Sequence, residues 1–427
     1  MPSFSLRKKL PRFSIIVPTY NRSRFILPTV ESALRQTRQS FEIIVVADGC
    51  TDDSEGVVRR KFGRAIRWIN LPKHSGSQSA PNNAGIQAAR GTHIAYLGHD
   101  DIWSPHHLEL LETVFENGSP DFAVSGCIYH GPPGSRYYQF TGLFDDPATA
   151  FREFFPPSSI AHRRDLIARI GSWNDPLEIK PPVDCEFLLR AAHAGCGFKS
   201  TNAITVHKFA AGHRYLSYRW PSGEEQRQML EAFRSPTAES RVLTRIMRDI
   251  LGGATAAKIP HIDFDLFPPG ELFQRNLCAK GLRQPAIEEL QGRRAFAMDN
   301  SPAGLDWFPL ETNPRHGQFR WSGPNPNPCY FLPIACANPL RVQLRILEFA
   351  EESLASALTL ELNDQPVTIE MKSDPDDAFK FRAVVPGPIR TGLKVQFHLP
   401  HNVWRRDHSP ARFAGLALSQ IEVEPVT

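Results

Sequence analysis

The sequence predicts an α/β layer fold with a mostly parallel central sheet, then a helical stretch, then an antiparallel β-sandwich. Three observations predict it. Short apolar runs alternate with helix-like stretches over roughly the first 220 residues. From about residue 224 to 300 the pattern turns helical. Beyond that, short alternating runs are separated by Gly, Pro, Asn and Asp, as in a sandwich. The expected domains are 1–222, a helical connector over 223–300, and a jelly-roll-like sandwich over 301–427.

The elements follow in order. FSIIVP (13–18) is a continuous apolar run, as a strand buried on both faces requires. Phe25, Ile26, Val30, Ala33 and Leu34 then recur at helical spacing. FEIIVVAD (41–48) is the second strand, and in DGCTDD Thr51 or Asp52 is expected to cap the next helix. AIRWIN (65–70) reads as a third strand, 79–90 as a helix closed by Gly91, and THIAYL (92–97) as a fourth strand. Ser104 is the expected N-cap of the helix after it, with Pro105 at the first helical position. Residues 239–251 and 270–292 read as helices around the Pro-rich KIPHIDFDLFPPG. RVQLRILEF, LTLELN, VTIEMK, FKFRAVV, LKVQFHL and LALSQIEVEP are the sandwich strands.

Composition narrows the function. The chain has 427 residues, 41% hydrophobic, and a formal charge of +4 with 49 Lys and Arg against 45 Asp and Glu. That balance, without a long basic block, argues against a nucleic-acid partner. The short basic stretch RKKLPR (7–12) is read either as a contact with an anionic membrane surface or as a solvated tail. No apolar run approaches the ~20 residues of a membrane span, and no secretory leader is evident. Seven cysteines without a CxxC pair suggest neither a zinc site nor a disulfide framework. A cytoplasmic location, with peripheral contact at the inner membrane face, is the expectation.

Ligands of open parallel sheets bind beyond the carboxyl ends of the strands. Three polar clusters fall there: Thr19, Tyr20 and Asn21; Asp48; and the adjacent acids Asp100 and Asp101. Oxygen ligands suit a hard cation, Mg²⁺ or Mn²⁺, bridging to a substrate diphosphate. Neither GxGxxG nor GxxxxGK[ST] follows the first strand, which weighs against dinucleotide and P-loop sites.

VPTYNR (17–22), EIIVVADGCTDD (42–53), SGSQSAPNNAGIQAARGTHIAYLGHDD (75–101) and VDCEFLLRAAHAG (183–195) occur in order and at family-like spacing. Together they resemble the family-2 glycosyltransferases of the GT-A fold, over about residues 12–220. The resemblance implies an inverting, metal-dependent transfer of sugar from a nucleotide-sugar, of UDP type, to a hydroxyl of a carbohydrate or lipid-linked glycan acceptor in bacterial surface glycan synthesis. It places Pro18, Thr19, Tyr20 and Asn21 at the donor nucleoside, with Tyr20 on the base and Asp48 reading the base edge. Asn83 and Gly85 fall near the diphosphate. Asp100 and Asp101 match the closing acids of the DxD-type motif and become metal ligands. His207, after the strand-like AITV, is a further ligand candidate, weighed against a hydrogen-bonded structural histidine. Asp184 matches the catalytic base, with Glu186 as its rival.

Three family acids are replaced, by Ala47, Gly98 and Val183. They motivate an alternative reading, a weakened transferase fold acting as a sugar-binding or scaffold protein. A nucleotidyltransferase is disfavoured because VPTYNRSRF lacks a glycine-rich loop. HKFAAGHRYLSYRW (207–220) is expected to fold over the diphosphate, with His213 and Arg214 at the phosphates, or else to be a plain surface loop. The C-terminal module weakly resembles accessory sandwiches of bacterial transferases. Its expected role is acceptor binding or self-association, with Trp321 and Trp404 weighed as sugar-stacking or core residues.

Overall fold

The computed structural model describes residues 10–426 except 131–136, 149–152, 210–217, 219–222, 236, 253–254, 259–267, 284–286, 299–303, 306, 308–309, 324–326, 374–377 and 406–411. The chain divides into two compact units, one chiefly of residues 1–209 and 221–274, the other chiefly of 275–427.

The first unit is built on one ten-stranded sheet. Its strands are β1 (Phe13–Thr19), β2 (Phe41–Ala47), β3 (Ile66–Asn70), β4 (His93–Tyr96), β5 (Asp101–Trp103), β6 (Phe122–His130), β7 (Tyr137–Thr141), β8 (Ile160–Arg163), β9 (Phe198–Phe209) and β10 (Thr255–Lys258). The spatial order is β10-β7-β6-β8-β4-β1-β2-β3, with β9 paired to β6 and β5. The four strands β3, β2, β1 and β4 run parallel. Their continuous apolar sequences fit this, because helices cover both faces. On one face Ile15, Val17, Ile43 and Val45 pack with Val30 of α1 (Leu27–Leu34), Val58 of α2 (Ser54–Phe62) and Leu111 of α4 (His107–Glu116). On the other, Ile16, Ile44 and Val46 pack in a cluster that includes Phe187 and Leu188 of α6 (Val183–His193), with Ala84 and Ile86 of α3 (Ser79–Ala88) against it. The helix between them in sequence, α5, is the single turn Ile167–Ile170.

Two local expectations change. Helix α4 starts at His107, two residues later than the Pro105 start expected from Ser104, and its N-cap His106 makes no side-chain cap bond. The cause is β5, whose pairing with β9 holds residues 101–103 extended and joins the Ser104 amide to the Thr205 carbonyl. The boundary expected at residue 222 also moves. Helices α7 (Glu224–Ala232) and α8 (Ala238–Leu251) share a core with Ile102, Ile128 and Phe209 of the first unit's sheet. Arg35 Nη1 donates to the Leu230 carbonyl, and Gln226 Nε2 to that of Asp100.

In the second unit a seven-stranded and a five-stranded sheet enclose one core. Leu340–Phe349, Phe379–Val385 and Leu416–Pro425 belong to the first sheet, all antiparallel to their neighbours. Cys329–Leu332, Leu393–His398 and Thr359–Leu362 belong to the second, also antiparallel. Arg294–Ala297, inside the expected connector, is a strand paired with Leu416–Pro425. Trp321 is buried, beneath the Arg405 guanidinium, which lies 5.1 Å from its ring centre, so it is a core residue and not an exposed sugar platform. All seven cysteines are free. Among the described residues no helix is long and apolar enough to cross a membrane.

Candidate active site

The parallel register brings Thr19, Ala47 and Asn70 to one edge, with Leu97 following β4. The next residues of each strand make the site. Pro18 and Thr19 close β1, and the Asp48 amide donates to the Thr19 carbonyl (2.8 Å). Asn21 takes a positive φ of 44°. Its Oδ1 accepts the amides of Thr51 (2.9 Å) and Asp52 (3.3 Å), which ties the ends of β1 and β2 together.

Tyr20 stacks on His74, from the loop after β3, with ring centres 3.6 Å apart. Burial, with Cys50, Asp48 and Asp52 adding negative character, raises the Tyr20 phenol, so it stays protonated. Asp48 is buried and organises this loop. It accepts the amides of Ser75 (3.0 Å) and Gly76 (3.1 Å) and the Ser75 hydroxyl (3.0 Å), and His74 Nδ1 lies 2.9 Å away. Gly49 makes the approach feasible: at φ +68° a Cβ there would sit 2.5 Å from the His74 nitrogen. Asp48 therefore shapes the pocket, where the sequence suggested that it reads the base edge. His74 and Ser75 went unremarked in the sequence, although they too follow a parallel strand, and that position was their signal.

Asn83 and Gly85 serve packing. Asn83 donates to the Trp173 carbonyl and accepts the Trp173 amide, both at 2.9 Å. Trp173 in turn stacks on Phe187 of α6, with ring centres 4.6 Å apart. Asn83 thus helps set the helix that carries Asp184. A Cβ on Gly85 would meet Ile16 at 2.5 Å, so glycine here lets α3 lie close on β1.

The acidic pair separates into two roles. Asp100 is half-buried on the turn after β4, and its carbonyl holds Gln226. The Asp101 carboxylate is fully buried and ion-paired to Lys208 at 2.6 Å, with the Ser158 hydroxyl on the same oxygen. The positive partner of Asp101 is therefore a lysine, and its expected role as a metal ligand is corrected. Burial pushes the Asp101 carboxyl up to about 6 against the pull of Lys208. Gly98 is part of this arrangement. A Cβ there would lie 2.7 Å from Asp101 Oδ2 and 3.3 Å from Ser158 Oγ. His99 lies on the same turn, its Nδ1 3.2 Å from the Pro18 carbonyl.

The expectation for His207 is likewise corrected, because a strand alternates its faces. On β9, Lys208 lies in one row with Asp101 of β5 and Tyr129 of β6. His207 lies in the next row with Ile102 and Ile128, whose side chains enter the core beneath α7 and α8. His207 Nδ1 meets His130 Nε2 at 3.0 Å, and burial holds the His207 imidazole well below its usual proton affinity. Among the described residues no three or more His, Cys, Asp or Glu side chains group as a metal cage. A metal can still fit, since Mg²⁺-type ions often take one or two carboxylates and complete their shell with substrate phosphates and water.

Asp184 stands in the first turn of α6, with its Oδ1 on the Cys185 amide (3.1 Å). Glu186 is bound to Arg190 (2.7 Å) and Asn174 (3.0 Å). Tyr129, also missed in the sequence, lies beneath the Lys208 ammonium at 5.7 Å. Its phenol is raised by burial, and the negative character of Cys127, Asp184 and Asp101 adds to the shift. His213 and Arg214 lie outside the described residues.

An α/β unit with this strand order and edge matches a known class. Residues 14–169 match the family described as Glycosyl transferase family 2. The match lies within this unit, which is similar to the family-2 glycosyltransferases and has the GT-A fold. It is 29% identical over 174 residues to the uncharacterized glycosyltransferase alr2836 of Nostoc sp., covering 37% of this chain and 53% of that protein. It is 28% identical over 217 residues to the chondroitin synthase of Pasteurella multocida, covering 48% of this chain and 21% of that one. A solved structure of S. aureus TarS 1–349 is similar at 19% identity and a TM-score of 0.40, over 52% of this chain and 70% of that one. The chain spans about half or less of these two curated relatives.

Proposed function

We propose that the protein is an inverting glycosyltransferase that moves a sugar from a nucleoside-diphosphate donor, of UDP type, to a hydroxyl of a growing glycan. The observation that carries this reading is the convergence at one sheet edge of the Tyr20–His74 stack, the loop organised by Asp48, and the Asp100 turn. The aromatic pair offers a platform for the base, and the amide-rich ends of β1 and β2 frame the ribose side. Asp100 is the residue that would hold Mn²⁺ or Mg²⁺. Such an ion, when bound, neutralises the charge developing on the leaving diphosphate.

Asp184 acts as the base. It takes the proton of the acceptor hydroxyl as that oxygen attacks the anomeric carbon opposite the leaving group. One base and no enzyme nucleophile give a single displacement with inversion. The second unit is assigned to acceptor binding or self-association. Lipid-linked acceptors and peripheral contact with a membrane are consistent with this scheme.

The test is Asp184→Asn. It should lower kcat on the order of 10²–10⁴-fold, the scale of a positioned general base, and leave nucleoside-diphosphate affinity unchanged. Glu186→Gln should do far less to kcat. A more damaging Glu186→Gln would reassign the base. Asp100→Asn should weaken Mn²⁺-dependent nucleotide binding, read by calorimetry independently of turnover. The Lys208–Asp101 pair and Gly98 favour a second reading, a fold that binds nucleotide sugars without turning them over. Metal-dependent donor hydrolysis distinguishes the two.

A further inference from the structure

The amino edge of the first unit's sheet, at the far end of β1 from the donor site, carries a cavity of about 420 Å³. Its lining includes Arg12, His93, Arg163, Arg164 and Asp165. Three guanidinium groups therefore face one carboxylate. Arg163 forks onto Asp165, with Nη2 at 2.7 Å and Nε at 3.1 Å. Arg164 Nη1 donates to the Ala89 carbonyl at 2.9 Å. Arg12 approaches Glu112 at 3.4 Å, but Glu112 is also bound by Arg38. The Arg12 atom in that contact is its buried Nε, which makes no hydrogen bond among the described residues beyond this ion pair.

The cavity lining thus has a surplus of positive charge. Guanidinium groups match the oxygens of a phosphate, which accept paired N–H bonds. His93 reports the same field from inside. Burial, then the charge of Arg12, lowers it to about 4, with Arg163 adding to the effect, so it is neutral and brings no cation of its own. Nothing in the transfer chemistry uses this place. Seven residues of β1 separate Arg12 from Tyr20, about 26 Å at strand rise, so both ends can be occupied at once.

The surroundings indicate which phosphate. In the sequence Arg7, Lys8 and Lys9 precede Arg12. Leu10, which follows them in the sequence, is an apolar side chain 61% exposed. Cations beside an exposed apolar group suit the interface of an anionic bilayer better than a small soluble anion. We propose that the Arg12–Arg163–Arg164 cavity binds the phosphate of an anionic lipid headgroup and seats the first unit on a membrane by the amino edge of its sheet.

Vesicle flotation of the full chain tests this, with phosphatidylglycerol vesicles against phosphatidylcholine vesicles. Binding to the first that falls with added salt is expected. Arg163→Gln/Arg164→Gln should weaken it about 30-fold, at roughly 1 kcal/mol per arginine. Arg59→Gln/Arg60→Gln removes the same charge from exposed α2 and should leave binding nearly unchanged. Equal binding to both vesicles, no loss in the Arg163/Arg164 variant, or an equal loss in the α2 variant would overturn the proposal. So would a rise in melting temperature with inorganic phosphate and no vesicle binding, which would make the occupant a soluble phosphate.

Discussion

His207 and Lys208 are neighbours on β9 that face opposite ways. Lys208 enters a polar row with Asp101 and Tyr129, and its charge is kept by an ion pair at 2.6 Å. His207 enters the apolar layer under α7 and α8, where burial holds it neutral and its Nε2 lacks a hydrogen-bond partner among the described residues. Both residues are fully or largely buried titratable groups on one strand, and only one carries charge. The partner across the sheet widens a difference that residue type begins, since a free lysine titrates near 10.4 and a free histidine near 6.5. An isolated buried charge is too costly to keep, whereas a paired and hydrogen-bonded one is tolerated.

The largest expected effect follows from that difference. Lys208→Met leaves the Asp101 carboxylate buried and unpaired, and should cost about 3–5 kcal/mol of stability. His207→Phe removes an unsatisfied nitrogen and fills similar space but takes the partner of His130 Nε2, so its cost should be about 1–3 kcal/mol, below that of Lys208→Met. Chemical denaturation of the two variants measures the gap. Equal losses would mean that the ion pair contributes no more than its packing.

The two faces should also answer acid with opposite signs. His130, in contact with His207, is lowered by burial from 6.5 to about 4. The unfolded chain therefore binds these protons first. The stability held by neutral His130 is complete above pH 6.5 and is lost as pH falls toward 4, by about 1.4 kcal/mol per pH unit, and His207 acts in the same direction. Asp101 is raised from 3.8 to about 6, so here the folded chain binds the proton first. Its share of stability grows as pH falls through that window. Melting temperature should drop below pH 6.5 in the wild type, and His130→Phe/His207→Phe should flatten the drop. An unchanged slope would show that other buried histidines, such as His107 and His162, govern the acid response.

The same contrast explains what the sequence made legible. FSIIVP and FEIIVVAD read correctly as strands because both faces of β1 and β2 are covered, so an apolar run is the whole signal. The carboxyl-edge residues Tyr20, Asn21, Asp48 and Asp100 follow from strand ends, and those are local features too. Strand β5 was missed: DIW is three residues long and extended only because distant β9 pairs with it. The pairing of Asp101 with Lys208 spans 107 positions, and that of Asn83 with Trp173 spans 90. No local pattern encodes such partners. His207 was misassigned for a related reason, since alternation places two neighbours on different faces without saying which face holds the site.

Gly98 offers the finest test, because it stands where the resembling family has an acid. Here a Cβ would lie 2.7 Å from Asp101 Oδ2, an oxygen already held by Lys208 and Ser158. A free carboxylate would swing aside at little cost, but this one is fixed from two directions. Gly98→Ala should therefore cost about 1–3 kcal/mol, in the range of overpacking. If the clash works through the ion pair, the cost must depend on it. In an Asp101→Ala/Lys208→Met background, which removes both charges, Gly98→Ala should cost under about 0.5 kcal/mol, and the double-mutant cycle should show coupling of at least that size. Strict additivity would separate Gly98 from the pair, and the missing acid would need another cause. Coupling would mean that the buried Lys208–Asp101 pair excludes the family's first acid by space alone, leaving Asp100 to face the donor from the same turn.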